Sequence, residues 1–199
     1  MPQEEFQARL DRLRREMALL NLDALVIYGD NYSFADLCYL TNYFPKVRGG
    51  IAIVLRDGAL SLLLNIGSRD VPFAKTLTWV DDVRASNQVG ADGAKLLKEK
   101  GLENARLGLV DSGQGFPLPQ LEDMKNALAQ ATWENVPSLF QPIRLRKSSR
   151  EIAAMGEAGR LLKEVCDGAS QFIKPGRKEY EIVADIDRLA RDKGAEDIR

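Results

Sequence analysis

Between residues 23 and 136, short apolar runs of strand length alternate with stretches of helix length, and beyond Pro142 the alternation gives way to helix alone. This alternation constrains the fold more than any other feature. Nearly all-apolar runs such as Asp23-Ala24-Leu25-Val26-Ile27-Tyr28 and Arg106-Leu107-Gly108-Leu109-Val110-Asp111 suit strands covered on both faces, and the intervening stretches supply the helices that cover them.

The chain opens with Phe6, Leu10, Leu13, Met17 and Leu20 at three- and four-residue spacing, which predicts an amphipathic helix stopped at Asn21. A strand over 23–28, a short helix over 33–40 and a loop over 41–50 follow. Residues 51–55 and 60–64 flank Arg56-Asp57-Gly58-Ala59, whose Asp-Gly step predicts a β-hairpin. A short helix over 68–75, a strand near 77–80, a helix over 91–100 ended by Gly101, and a strand over 106–111 come next. A helix over 118–129 and a strand over 132–136 complete a mixed α/β sheet of six strands flanked by helices.

After Pro137 and Pro142 the pattern is purely helical. Ile152, Met155, Gly159, Leu162, Cys166, Ala169 and Ile173 form one apolar stripe. Ser148-Ser149-Arg150-Glu151 fits a capping box, in which the serine hydroxyl and the glutamate carboxylate each satisfy a free backbone N–H. Pro175-Gly176 reverses the chain into a second helix marked by Ile182, Val183, Ile186, Leu189 and Ala190 and ended at Gly194. The domain boundary is expected within 141–147, giving residues 1–141 and 142–199.

Hydrophobic residues at 45% and charged residues at 29% can build a real core, and a net charge of −1 gives no field favouring nucleic acid or acidic lipid. Arg144, Arg146, Lys147 and Arg150 read as a solvated linker. Cys38 and Cys166 lie far apart and read as small buried hydrophobes in a reducing compartment. The acidic start lacks an apolar signal core and no run reaches membrane-span length, so a cytoplasmic protein is expected. No histidine occurs, which removes the usual base for a nucleophilic cysteine.

Asp111-Ser112-Gly113-Gln114-Gly115 lies between a strand and a helix, where a phosphate-cradling turn would sit. Leu118 stands where the dinucleotide fingerprint needs glycine, and Pro117 and Pro119 remove N–H donors, so a plain turn is expected. Asp81-Asp82, Glu122-Asp123, Asp185 with Asp187, and Glu196-Asp197 read as solvated surface rather than cation sites. The loop around Tyr39-Leu40-Thr41-Asn42-Tyr43-Phe44-Pro45-Lys46-Val47-Arg48 offers adjacent aromatics and two cations. Its composition suits a partner surface or a ligand lid, or aromatics packed inward beneath solvated cations.

Arg144-x-x-Lys147-Ser148-x-x-Glu151-Ile152, taken with Pro175-Gly176-Arg177-Lys178-Glu179, resembles the junction in the creatinase / Xaa-Pro aminopeptidase (prolidase-like) family. There an N-terminal α/β domain joins a pita-bread metallohydrolase domain. The first helix, Asn21-Leu22-Asp23-Ala24-Leu25-Val26 and Tyr39-Leu40-Thr41 are similar to that family's opening, so the resemblance spans the chain. Two positions depart from it. Lys178 stands where the family usually caps the second helix with threonine, and Asn42 stands where the Y-L-T turn continues with glycine. A left-handed backbone at Asn42 would preserve the turn, whereas the missing cap would let the second helix fray.

The resemblance implies a hydrolase cleaving a peptide-like C–N bond next to proline, or a related small amide or amidine. Two divalent metals (Mn, Co or Zn) would activate water there, held by two Asp, one His and two Glu downstream of Arg199. No catalytic or metal residue is therefore assigned within this chain. The resemblance further implies an N-terminal portion that governs homodimer formation and lies over the neighbouring subunit's active site, with Tyr43, Phe44 and Arg48 as candidate gate residues. The alternative is a non-catalytic binding or assembly module of the same fold. In either case the stripes on the last two helices should stay uncovered and invite association.

Overall fold

The computed structural model describes residues 2–110 and 115–196. It divides into two compact units, Met1–Arg146 and Lys147–Arg199.

In the first unit, helix α1 (Gln3–Leu19) buries Phe6, Leu10, Leu13 and Met17, the spacing the sequence predicts. It stops where Asn21 takes a left-handed φ of 54°. Six strands follow among the described residues: β1 (Ala24–Gly29), β2 (Gly50–Leu55), β3 (Leu60–Leu64), β4 (Asp82–Ala85), β5 (Arg106–Val110) and β6 (Thr132–Asn135). They form one mixed sheet in the order β4-β3-β2-β1-β5-β6. The β1–β2 and β2–β3 pairs are antiparallel, and β1–β5, β5–β6 and β3–β4 are parallel. The expected hairpin is β2–β3, with Gly58 at a φ of 136° in its turn. Arg14 from α1 fastens that turn, donating from Nε to the Leu55 carbonyl at 3.2 Å and from a terminal nitrogen to the Gly58 carbonyl.

Strand alternation divides the core between the two sheet faces. Leu25 and Ile27 of β1 enter one core with α1, α2 (Ala35–Thr41) and α6 (Gln141–Leu145). Ala24 and Val26 enter the other with α4 (Val89–Glu99) and α5 (Leu118–Ala127). Both faces are therefore covered, as the continuous apolar run requires. Asp23 ties three neighbouring strand ends together. Its carboxylate accepts the Arg106 N–H at 2.8 Å and pairs with Arg56, and its carbonyl accepts the Arg56 N–H at 2.9 Å.

Four expectations need correction. The strand placed near 77–80 is instead β4, later in the chain. Residues 77–80 follow α3 (Val71–Thr76) as a plug, with Trp79 Nε1 donating to the Leu40 carbonyl at 2.8 Å and Thr78 Oγ1 to the Thr41 carbonyl. Apolar character there serves burial without a ladder, while the polar run Asp82-Val83-Arg84-Ala85 makes an edge strand. Asp82 is not free surface, because it accepts from Ser61 Oγ at 2.6 Å and from Arg84 at 2.8 and 3.0 Å. Arg144 lies within α6, beside buried Ile143, and pairs with Asp36 at 2.7 Å rather than floating in a linker. Cys166 is exposed and Cys38 only half-buried, so neither is a core residue.

The second unit is a hairpin of two helices, α7 (Ser149–Ala169) and α8 (Glu179–Asp192). The expected capping box forms at α7: Ser148 Oγ accepts the Glu151 N–H at 3.1 Å, and Glu151 accepts the Ser148 N–H at 2.7 Å. At α8 the Lys178 side chain has no acceptor to offer, but Glu181 still accepts the Lys178 N–H at 2.9 Å, so half the box survives. Gly176 turns the chain with a φ of 87°. Gly168 lets the helices close, since a Cβ there would lie 2.6 Å from Leu189 Cδ2. Lys193 meets Glu164 at 3.1 Å, and Arg177 meets Asp185 at 2.7 Å. Ile152, Met155, Leu162, Tyr180 and Val183 remain exposed, and the buried side chains of α7 and α8 are Val165 and Ala190.

Candidate functional site

The loop after α2 is built by three anchors. Thr41 Oγ1 donates to the Leu37 carbonyl at 2.8 Å and accepts the Tyr43 N–H at 3.1 Å. Asn42 adopts the left-handed conformation, with a φ of 60°, so the turn expected from Tyr39-Leu40-Thr41 forms without glycine. Asn42 Nδ2 then donates to the Leu77 carbonyl at 3.2 Å, strapping the loop to the segment after α3.

This frame separates the three candidate gate residues. Tyr43 is half-buried against the core that contains α1 and α2. Burial, and after it the negative charge of Asp70, raises its phenol above the usual value and keeps it neutral. Phe44 is half-buried, its ring edge-on to Phe34 at 4.8 Å and 81°. Both aromatics thus spend much of their surface on packing within this unit. Arg48 is exposed, with Nη1 3.4 Å from Asn65 Oδ1.

The outward apolar character sits on neighbours that the sequence did not single out. Val47 is 82% exposed, Phe73 68% and Leu77 41%. The loop thus presents an exposed valine between the exposed cations Lys46 and Arg48, and Phe73 within α3 and Leu77 just after it are further exposed apolar side chains. Exposed apolar side chains with cations beside them can bind a partner. Nothing among these residues pairs a nucleophile with a base.

Among the described residues, no three His, Cys, Asp or Glu side chains converge as a metal-ligand set, so these residues do not fit a divalent-metal centre. The turn at 111–114 lies outside the described residues. Among the described residues, no helix is long and apolar enough to cross a membrane.

Comparison with known proteins supplies the family. Residues 9–146 match the model of the creatinase/prolidase N-terminal domain. The chain belongs to that family, as the resemblance in its residues implies. An uncharacterised hydrolase/peptidase of Sinorhizobium fredii is 28% identical over 93% of this chain and 49% of its own length. The X-Pro aminopeptidase of Thermotoga maritima superposes with a TM-score of 0.75 at 21% identity, over 94% of this chain and 50% of that one. The Xaa-Pro dipeptidase of Bacillus anthracis gives 0.69 at 20% identity, over 96% and 50%. The chain thus spans about half the length of these three relatives. The matched fold reaches past Arg146 into the α7–α8 hairpin, because the first unit alone could not supply that coverage.

Proposed function

We propose that this chain is the assembly and active-site-covering portion of a creatinase- or Xaa-Pro-peptidase-type hydrolase. It pairs with a second copy of itself and leaves the chemistry to residues other than those described. In the whole enzyme, cytoplasmic on this reading, two divalent metals (Mn, Co or Zn) would activate water against a peptide-like C–N bond next to proline, or a small amide or amidine. Residues 1–141 would form the covering domain, and residues from 142 onward the entry into the catalytic one. Tyr43, Phe44 and Arg48 are the gate candidates, with Arg48 making outward contact and the two aromatics holding the loop in shape.

One observation carries this reading: the creatinase/prolidase N-terminal model matches residues 9–146 of a chain that spans about half of the hydrolase/peptidase it resembles. The exposed Val47 and Phe73 support a partner at the loop surface. Sedimentation velocity over a range of concentrations tests it. A dimer that weakens on Val47→Asp or Phe73→Asp is expected, and a monomer at every concentration counts against the assembly role.

A further inference from the structure

Leu40 and Thr41 close helix α2 with no exposed surface, so water does not reach their carbonyls. The last four carbonyls of a helix have no partner within it, and an unpaired buried carbonyl is costly. In α2 each of the four has a donor. The Asn42 N–H donates to the Cys38 carbonyl at 2.8 Å. Arg9 Nη1 donates to the Tyr39 carbonyl at 2.7 Å, Trp79 Nε1 to the Leu40 carbonyl at 2.8 Å, and Thr78 Oγ1 to the Thr41 carbonyl. We propose, resting on the assembly role of the loop over 42–48, that Arg9, Thr78 and Trp79 are positioning residues for that loop. They hold it in one preset direction, so that it meets a second copy of the chain without refolding.

The donors arrive from two separate segments. Arg9 reaches across from α1, while residues 77–79 run along the end of α2 in reverse order. Asn42 Nδ2 gives to the Leu77 carbonyl at 3.2 Å, Thr78 to Thr41, and Trp79 to Leu40. Contacts at three successive residues set both the height and the rotation of the helix end. The segment is itself held in place. The Trp79 ring stacks on Phe6 of α1, 6.0 Å apart and 12° from parallel, and Thr78 Oγ1 accepts the Val80 N–H at 3.2 Å. Beyond the helix, the left-handed Asn42 and the Tyr43 N–H on Thr41 Oγ1 carry that direction into the loop. Phe44, edge-on to Phe34, and buried Pro45 carry it on to the exposed Lys46, Val47 and Arg48.

A loop ordered before it docks loses less conformational freedom on association, and affinity falls with the fraction of the chain that is not in the docking conformation. Thr78 and Trp79 act here through a hydroxyl and an indole N–H. Replacing either by a residue of similar shape without the donor keeps the packing and leaves one buried carbonyl unpaired.

The test compares Thr78→Val, Thr78→Ser and Trp79→Phe in the full chain, with circular dichroism confirming the fold of each. Amide hydrogen exchange reads Asn42 and Tyr43 against the buried β5 residues Leu107 and Leu109, and sedimentation velocity reads self-association. Thr78→Val and Trp79→Phe should each speed exchange at Asn42 and Tyr43 about tenfold relative to β5, the effect of one lost hydrogen bond. Both should also weaken self-association. Thr78→Ser keeps the hydroxyl and should keep the slow exchange. Should Thr78→Val or Trp79→Phe not fold, the other alone decides the loop readout. Equal speeding at the loop and at β5, no speeding at the loop, or a Thr78→Ser variant as fast as Thr78→Val would overturn the proposal, because the residues would then serve stability or packing alone. Faster exchange confined to the loop with unchanged self-association supports the positioning and contradicts the loop's assembly role instead.

Discussion

Arg9 lays its guanidinium 4.2 Å from the centre of the Tyr39 ring and donates from Nη1 to the Tyr39 carbonyl at 2.7 Å. On α1 itself, Phe6 flanks the guanidinium at 5.0 Å and Glu5 stands 3.7 Å from Nε. Arg9 is only 6% exposed, so a buried cation joins α1 to the C-terminal half of α2 just before the candidate gate loop. Removing it loses the stack and leaves the buried Glu5 carboxylate with only the more distant Arg12 at 4.0 Å. Arg9→Ala should cost about 3 kcal/mol in urea unfolding, and Arg9→Lys should recover only part, because lysine lacks the planar fork.

Glycine positions should divide sharply by surroundings. A Cβ at Gly90 would stand 1.9 Å from the Gln120 carbonyl oxygen, where α4 meets α5 through backbone that cannot give way. Gly90→Ala should destabilise by about 3 kcal/mol or more. Gly159 lies inside α7 with nothing within 4 Å of its Cβ position. Gly159→Ala should stabilise that helix by up to about 1 kcal/mol. Thermal melts of the two variants check both signs.

Acid should act on the β3–β4 edge. Burial pushes the Asp82 carboxyl up, but its hydrogen bonds from Arg84 and Ser61 and the Arg84 charge outweigh this and hold it below the usual value. Its folded value lies below its unfolded one, so its stabilising contribution is complete above about pH 4 and fades as pH falls further. Asp82→Asn should lower stability at neutral pH and flatten its fall below about pH 4, as measured by urea midpoints across pH.

Alkali should report on Tyr28, which is stacked on Phe116 with ring centres 5.0 Å apart. Burial first, then the Asp30 charge and hydrogen bond, push Tyr28 up to about 12. With the folded value above the unfolded one, stability tied to the neutral phenol is complete below about pH 10 and lost as pH rises toward 12. Ultraviolet titration should show a late tyrosine step that Tyr28→Phe removes.

Much of the fold was legible because its signals are local. The Asp57-Gly58 turn, the apolar runs of β1 and β5, and the Ser148–Glu151 box each state their structure within a few residues. β4 was misplaced because Leu77 and Trp79 look more strand-like than Asp82 and Arg84, and only the tertiary bonds of Thr78 and Trp79 show why that segment is a plug. The role of α6 was hidden for a similar reason, since the Arg144–Asp36 pair spans 108 positions. The sequence marked the loop over 39–48 but not the exposed apolar side chains of Phe73 and Leu77, which lie in a separate segment.

The central claim is that this chain assembles and covers while the chemistry lies elsewhere. The most direct measurement is hydrolysis of an Xaa-Pro dipeptide by the purified chain, with and without added Mn²⁺, Co²⁺ or Zn²⁺, alongside metal content after dialysis. The expected result is no turnover above the metal-only control and no retained metal. Stoichiometric metal accompanied by turnover would contradict it.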